Sequence, residues 1–239
     1  MVNEYSGITD YYDLLVMSGY YNYQKIASEV YSIIGSGCRI LELGVGTGLL
    51  VQEYMKIDPN CEFTGVDITQ SMIEIAQKRL GNGVTLIQGD AKTMQLNMTF
   101  DAVISNGGVW LFLDWGDRWE LASHIPNLES NYHSLKNLAC HLRAGGLFVL
   151  NLQKPGVNME KSLPDGIVYS QIIEELENTN DYRTHQKSYF FKKNGEILAE
   201  EKLMVTSFKQ KVYEKLLDEA GFVFQGINGI ASMAIYKKR

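Results

Sequence analysis

Apolar positions follow two rhythms along this chain, and the change falls near residue 154. In the first part, short apolar runs alternate with stretches where apolar residues recur every three or four positions. Residues 24–34 place Ile26, Ala27, Val30, Ile33 and Ile34 on one stripe of a helix, which Gly35 and Gly37 end. Cys38 to Leu43 reads as a strand that runs into Gly44-Val45-Gly46-Thr47-Gly48. Helical spacing resumes over 48–57, and Asp58-Pro59-Asn60 is a turn. Phe63–Asp67, Val84–Gln88, Phe100–Ser105 and Leu147–Leu152 read as further strands, with helices over 70–80 and 127–142. This alternation predicts parallel strands joined by right-handed crossovers, with helices on both faces. The strands are nearly continuous apolar runs, which suits burial on both sides.

After residue 154 the period becomes two. Residues 167–176 and 182–207 alternate and contain no helical stretch. Asn194-Gly195 is a strong hairpin signal, since both turn positions require positive φ. It predicts Lys193 facing Glu196 and Phe191 facing Leu198. Residues 154–208 therefore read as a three-stranded antiparallel insertion. A helix from Lys211 to Ala220 and the runs Phe222–Gln225 and Ala231–Tyr236, joined through Gly226 and Gly229, close the chain. The expected organisation is one domain over 1–239: an N-terminal helical cap (1–36), a ligand-binding core (37–153), the insertion, and the closing segment 209–239.

Composition narrows the classes. Of 239 residues, 45% are hydrophobic and 21% charged, enough to fill a core and too apolar for disorder. No run reaches the ~18 apolar residues of a membrane helix. Met-Val-Asn-Glu-Tyr lacks the basic start and apolar run of a signal peptide. A net charge of −6 disfavours nucleic-acid phosphates and anionic lipid as partners. Cys38, Cys61 and Cys140 form no C-x-x-C pair, and His124, His133, His141 and His185 lack metal-pair spacing, so neither a disulfide framework nor a metal site is expected. The cytoplasm is the expected compartment; a homodimer stays open.

The chemistry concentrates at the strand ends. Gly44-x-Gly46-x-Gly48 between a strand and a helix brings backbone close to a ligand. The sixth position of a dinucleotide loop is here the bulky Leu49, and no Gly-Lys-Ser/Thr of a phosphate loop follows. Asp67 ends the second strand, where a carboxylate accepts both hydroxyls of a ribose. Asp90 follows the third strand, where it can accept an adenine amine. No Lys or Arg lies in these loops, so the ligand reads as an adenosine without phosphates.

At this point the chain resembles the class I S-adenosylmethionine-dependent methyltransferases. Ile40-Leu41-Glu42-Leu43-Gly44-Val45-Gly46-Thr47-Gly48 is similar to their first motif. Gly65-Val66-Asp67-Ile68-Thr69, Gln88-Gly89-Asp90-Ala91 and Phe100-Asp101-Ala102-Val103-Ile104-Ser105-Asn106-Gly107 are similar to the next three, in order. Leu142-Arg143-Ala144-Gly145-Gly146-Leu147 resembles the turn before strand five, with Ala144 where proline is common. The resemblance spans 8–154 and 209–236. It implies a Rossmann-like α/β sheet of seven mostly parallel strands, the last antiparallel, and S-adenosylmethionine as cofactor with S-adenosylhomocysteine as product. It places Gly44, Gly46 and Glu42 at the methionyl part, Asp67 at the ribose, Ile68 and Met72 on the adenine faces, Asp90 and Ala91 at its edge, and Asn106 beside the sulfonium.

The acceptor is less specified. Ser105-Asn106-Gly107-Gly108-Val109 has no proline where base-amine methylating enzymes carry a Pro-Pro pair, so a small molecule is favoured over nucleic acid. Tyrosines crowd the front of the chain, and Trp110, Trp115 and Trp119 follow strand four. These segments flank the cleft in this fold and predict an aromatic acceptor pocket, with Tyr20, Trp110 and Trp115 as its residues. Tyr11-Tyr12-Asp13-Leu14-Leu15 resembles the N-terminal segment of small-molecule N-methyltransferases of the dTDP-aminosugar and glycine types, which implies a catalytic place for Tyr12 near the methyl donor. The antiparallel insertion also resembles theirs, as a platform below the acceptor. His124 is the one histidine expected near the cleft, as a candidate general base. An amine nitrogen is the expected acceptor; a hydroxyl, a carboxylate or a peptide terminus is the alternative, and a non-catalytic binding module the remote one.

Overall fold

The computed structural model describes residues 4–228 and 233–239. Gly229 and Ala231, on which the closing turn was read, lie outside the described residues. Strands β1 (Arg39–Leu43), β2 (Glu62–Asp67), β3 (Thr85–Gln88), β4 (Phe100–Ser105) and β7 (Leu142–Gln153) run parallel in the order β3-β2-β1-β4-β7. β13 (Met233–Lys238) joins β7 antiparallel, and β12 (Phe222–Ile227) joins β13 antiparallel. The core thus has the seven strands expected, with only β13 reversed.

Alternation along each strand explains the layers. Ile40, Ala102, Ile104 and Val149 face α2 (Tyr23–Ile34), α3 (Leu49–Ile57) and α4 (Gln70–Leu80). Leu41, Leu43, Val103, Phe148 and Leu150 face α5 (Leu128–His141) and α6 (Gln210–Glu219). Asn22 caps α2 by accepting from the Lys25 N–H, and Asn127 caps α5 by accepting from the Ser130 N–H. None of the helices in the described residues is long and apolar enough to cross a membrane. The three cysteines are free, and Cys140 is exposed.

The antiparallel part is larger than the sequence reading. Residues 154–208 form four strands: β8 (Met159–Ser162), β9 (Ile167–Asn178), β10 (Tyr182–Lys193) and β11 (Glu196–Phe208). β8 is short, half-exposed and without apolar alternation, so no periodicity marked it. A hairpin of β5 (Trp110–Asp114) and β6 (Trp119–Ser123) connects β7 to β11 and makes one continuous sheet. Its signal was the run Trp110-Leu111-Phe112-Leu113 ahead of Gly116, which sits at φ 95° in the turn. The Asn194-Gly195 turn has the positive φ values anticipated, 53° and 86°, and Lys193 faces Glu196. Phe191, however, faces Ala199, because a bulge leaves Leu198 as the extra residue. The cap helix α1 (Thr9–Leu15) packs on this sheet through Ile8, Leu15, Tyr169, Phe191 and Leu203.

Trp110 corrects the pocket expectation. Its side chain is fully buried in the core beneath β5, and it lines none of the cleft cavities described below. The indole N–H donates to Asn131 Oδ1 at 2.8 Å, which fastens the hairpin to α5. Trp110→Phe is expected to cost roughly 1–3 kcal/mol, from a lost buried hydrogen bond and a small void. Urea unfolding measures this; an unchanged midpoint would mean the bond contributes nothing.

Candidate active site

The cleft lies beyond the carboxyl ends of β1 to β4, where this sheet order leaves a crevice. Its floor is set by two glycine backbones. A Cβ on Gly44 would lie 2.5 Å from the Gly108 Cα, and one on Gly108 would lie 2.6 Å from the Leu43 carbonyl oxygen. The loops after β1 and β4 therefore touch without side chains between them. At Gly46 (φ 54°) a Cβ would meet no atom within 4 Å, so the loop there opens into the cleft.

Asp67 stabilises the loop from β2. One carboxylate oxygen accepts from the Gly46 N–H at 2.8 Å and the other from the Thr69 N–H at 2.9 Å. The cap is tied to the same loop: the Thr47 hydroxyl donates to Asp13 at 2.6 Å, and Arg79 from α4 bonds both Asp13 and the Thr47 carbonyl. Arg79 was invisible in the loop's own sequence, and Lys92, next to Asp90 and Ala91, lines the cleft as well. The basic groups at these loops are thus two more than the strand-end reading allowed.

Three cavities meet at Tyr5. The first, about 50 Å3, is lined by Tyr12, Tyr23, Glu42, Gly44, Gly46, Asp67, Met72 and Asn106. The second, about 340 Å3, is lined by Ile68, Asp90, Ala91, Val109, His124 and Ile125, and it shares Gly44 and Asp67 with the first. The third, about 150 Å3, is lined by Tyr20, Tyr21, Trp115, His124, Gln153, His185, Lys187, Tyr189 and Ser207. Tyr5 borders all three, held by its N–H donating to Thr69 Oγ1 at 3.1 Å and by rings at 5.8 Å (Tyr12), 6.0 Å (His124) and 6.0 Å (Tyr189).

Most sequence candidates therefore converge. Tyr12, Glu42, Gly44, Gly46, Asp67, Met72 and Asn106 share the first cavity, Ile68, Asp90 and Ala91 the second, and Tyr20 and Trp115 the third, with His124 on the wall between the last two. Trp110 alone is elsewhere. Asp90 also accepts from the Lys92 N–H at 2.8 Å, so it caps its own turn while facing the cavity. Tyr5, Tyr21, Tyr23, Gln153, Lys187 and Tyr189 were not singled out. The tyrosine density at the front marked the first three; His185, Lys187 and Tyr189 share one face of β10 by period two, which marks a face but not what it faces.

Burial governs the charges. Glu42 is buried, and desolvation, then the Asp67 charge, holds its carboxyl well above the usual carboxylate range. Its Oε2 and the Asn106 Oδ1 have no hydrogen-bond partner among the described residues. Desolvation also raises Asp67, although the N–H groups of Thr69 and Gly46 oppose the shift. His124 is pushed down to about 4 by desolvation and then by Lys187. Tyr12 is raised by burial, then by Tyr5, and remains a phenol at neutral pH.

These shifts give opposite pH signatures. The folded protein keeps the Glu42 proton to higher pH than the unfolded chain, so this group lowers stability as pH rises above the ordinary carboxylate range. Glu42→Gln is expected to raise the unfolding midpoint at neutral pH. The unfolded chain protonates His124 near its ordinary value while the folded protein resists down to about 4. Stability from His124 is therefore lost as pH falls through that window, by up to about 1.4 kcal/mol per pH unit, and His124→Asn is expected to lose that slope. Urea titrations of both variants across this range check the pair; profiles parallel to wild type would contradict it.

Residues 40–128 match the family described as methyltransferase domain. A malonyl-[acyl-carrier protein] O-methyltransferase of Bacillus cereus is 40% identical over 128 residues, 53% of this chain and 41% of that protein. An uncharacterized methyltransferase of Bacillus subtilis, YdaC, is 37% identical over 81 residues, 32% of this chain and 45% of that protein. The chain thus spans less than half the length of these relatives. In fold it is similar to Streptomyces venezuelae DesVI, with a TM-score of 0.72 at 21% identity, covering 96% of this chain and 98% of that one. It is similarly close to CalS10, an amino pentose methyltransferase described with bound S-adenosylmethionine, with a TM-score of 0.71 at 18% identity, covering 95% and 96%. The lining suits that cofactor: the unpartnered, buried Glu42 oxygen calls for an ammonium, and Gly46 leaves room for the ligand beside it. The glycine loop, the acidic strand ends and the sheet order agree with these likenesses: residues 40–128 match a methyltransferase domain, on a fold similar to that of S-adenosylmethionine-dependent methyltransferases.

Proposed function

We propose that the chain transfers a methyl group to the nitrogen of a small-molecule amine seated in the third cavity. The observation that carries this reading is the junction at Tyr5 and Gly107: the first and third cavities meet there, and no Asp or Glu of the described residues lines the third. A bound sulfonium supplies a methyl carbon already attached to a good leaving group. The chain's task is to align donor and acceptor at about 3–3.5 Å and exclude water. Glu42 would hold the amino end of the cofactor, Asp67 its ribose, Ile68 and Met72 the adenine faces, and Asp90 and Ala91 the adenine edge. Asn106, Tyr5, Tyr12 and Tyr23 would enclose the reacting end, where ring faces favour a cation.

An ammonium has no lone pair, so the amine must arrive neutral. A desolvating pocket without carboxylates lowers the amine's pKa, and Lys187 on its wall acts in the same direction. His124, at about 4, is too weak a base to retain the proton. Fold relatives described as sugar N-methyltransferases, such as KedS8, support nitrogen. A carboxylate oxygen is the second reading, favoured by Lys187 on the cavity wall and by the O-methyltransferases among the sequence relatives.

The test is methyl transfer from labelled S-adenosylmethionine into a library of small amines and carboxylic acids, with fragment masses locating the methyl group. For an amine, kcat is expected to rise with pH to a plateau, with the same shape in His124→Ala. Loss of activity at every pH in that variant, with cofactor binding intact, would show that His124 is a general base. Glu42→Gln is expected to weaken S-adenosylhomocysteine binding by roughly 1.5–3 kcal/mol in calorimetric titration, as for a hydrogen bond to a charged group; unchanged affinity would remove the role given to Glu42.

A further inference from the structure

The third cavity carries a donor set that methyl transfer alone does not require. Trp115, Gln153 and Ser207 all line it, and the indole Nε1, the amide Nε2 and the hydroxyl of these residues are each buried with no hydrogen-bond partner among the described residues. Buried polar groups are normally paired, and each orphan costs on the order of 1–3 kcal/mol. Three such groups on residues that line one cavity therefore point to a ligand that pairs them. Two of them can only donate, and a hydroxyl can donate as well.

The charges agree. Besides His124, three basic side chains line this cavity, and two are already engaged. Lys154 is bonded to Asp114 at 2.6 Å, and His185 faces Glu175 at 3.7 Å. Lys187 lies over the Tyr189 ring, 4.7 Å from its centroid, and makes no ion pair with any described residue. Trp115 is held from behind: the guanidiniums of Arg183 and Arg118 lie 4.9 Å and 5.3 Å from its ring, and Arg183 is itself fixed by the buried Glu120 at 3.1 Å. Among the described residues, three donors, one uncompensated ammonium and no carboxylate at this cavity complement a group that only accepts and is negative.

We infer that the acceptor carries a carboxylate, bound in the third cavity by Lys187 together with Trp115, Gln153 and Ser207. This rests on the third cavity being the acceptor site. The acceptor is then an amino acid-like molecule: its carboxylate is anchored on the donor wall and its neutral amine is directed to the opening at Tyr5 and Gly107. The same wall disfavours simple cationic amines, which would place an ammonium beside Lys187.

Benzoate and benzamide, equal in shape and different in charge, are the probes. Each is titrated calorimetrically into the full chain saturated with S-adenosylhomocysteine. Benzoate is expected to bind at least about tenfold more tightly than benzamide, the scale of one charge-assisted hydrogen bond. Lys187→Met is expected to bring the two within about twofold, and Lys187→Arg to restore most of the preference. Equal affinities, a preference that survives Lys187→Met, or no benzoate binding at tens of millimolar would each overturn the inference. S-adenosylhomocysteine affinity is measured in the same preparations. Its absence in the wild type would remove the methyltransferase reading instead, and its persistence without benzoate discrimination removes only the anchored carboxylate.

Discussion

Contact between the Gly44 and Gly108 backbones sets the geometry on which the cleft depends. The loops after β1 and β4 approach so closely that a methyl group on either would strike main-chain atoms. Main chain cannot yield as a flexible side chain does, so the approach fixes where Glu42, at the end of β1, and Asn106, after β4, stand relative to each other. Both border the first cavity. Asp67 then reaches from β2 to the Gly46 N–H and holds the open part of the loop in place. A ligand meets a surface already shaped, which reduces the ordering cost of binding.

The cap completes this surface from the other side. Asp13 is bound to the glycine loop through Thr47 and to α4 through Arg79, and Tyr5 is bound to Thr69 at the start of α4. Two sequence-distant anchors thus place the aromatic rings of the cap over the strand ends. Tyr5 gains a place from this that its local sequence does not announce, since it borders all three cavities.

The cavities share an energetic character. Glu42, Asn106, Trp115, Gln153 and Ser207 each bury a polar atom with no partner among the described residues. In an apolar core such groups would be costly errors. Here Glu42 and Asn106 border the first cavity, and Trp115, Gln153 and Ser207 border the third, which is the pattern the proposed ligands would satisfy. A ligand that pairs such groups recovers the cost of their burial as affinity.

Read along the chain, β1 to β4, their helices and the strand-end acids were legible because each rests on local patterning: continuous apolar runs, a 3.6-residue stripe, glycines where the chain turns. Glu42, Asp67 and Asp90 follow from the same logic, since a residue at the carboxyl end of a parallel strand has its neighbourhood fixed by topology. The Asn194-Gly195 turn was legible too, but not the bulge at Leu198, which depends on how β10 and β11 pair. Trp110 and Trp115, five residues apart in one aromatic segment, look alike in sequence. Pairing of β5 with β6 sends one into the core to meet Asn131 and leaves the other lining the third cavity. The sheet and the cofactor class were readable along the chain, because they depend on periodicity and strand ends, and the acids proposed to hold the cofactor stand at those ends. What stands opposite what comes from the three-dimensional fold: Arg79 against the glycine loop, and Lys187, His124, Trp115, Gln153 and Ser207 around one cavity, because each set joins residues from elements that do not adjoin in the chain.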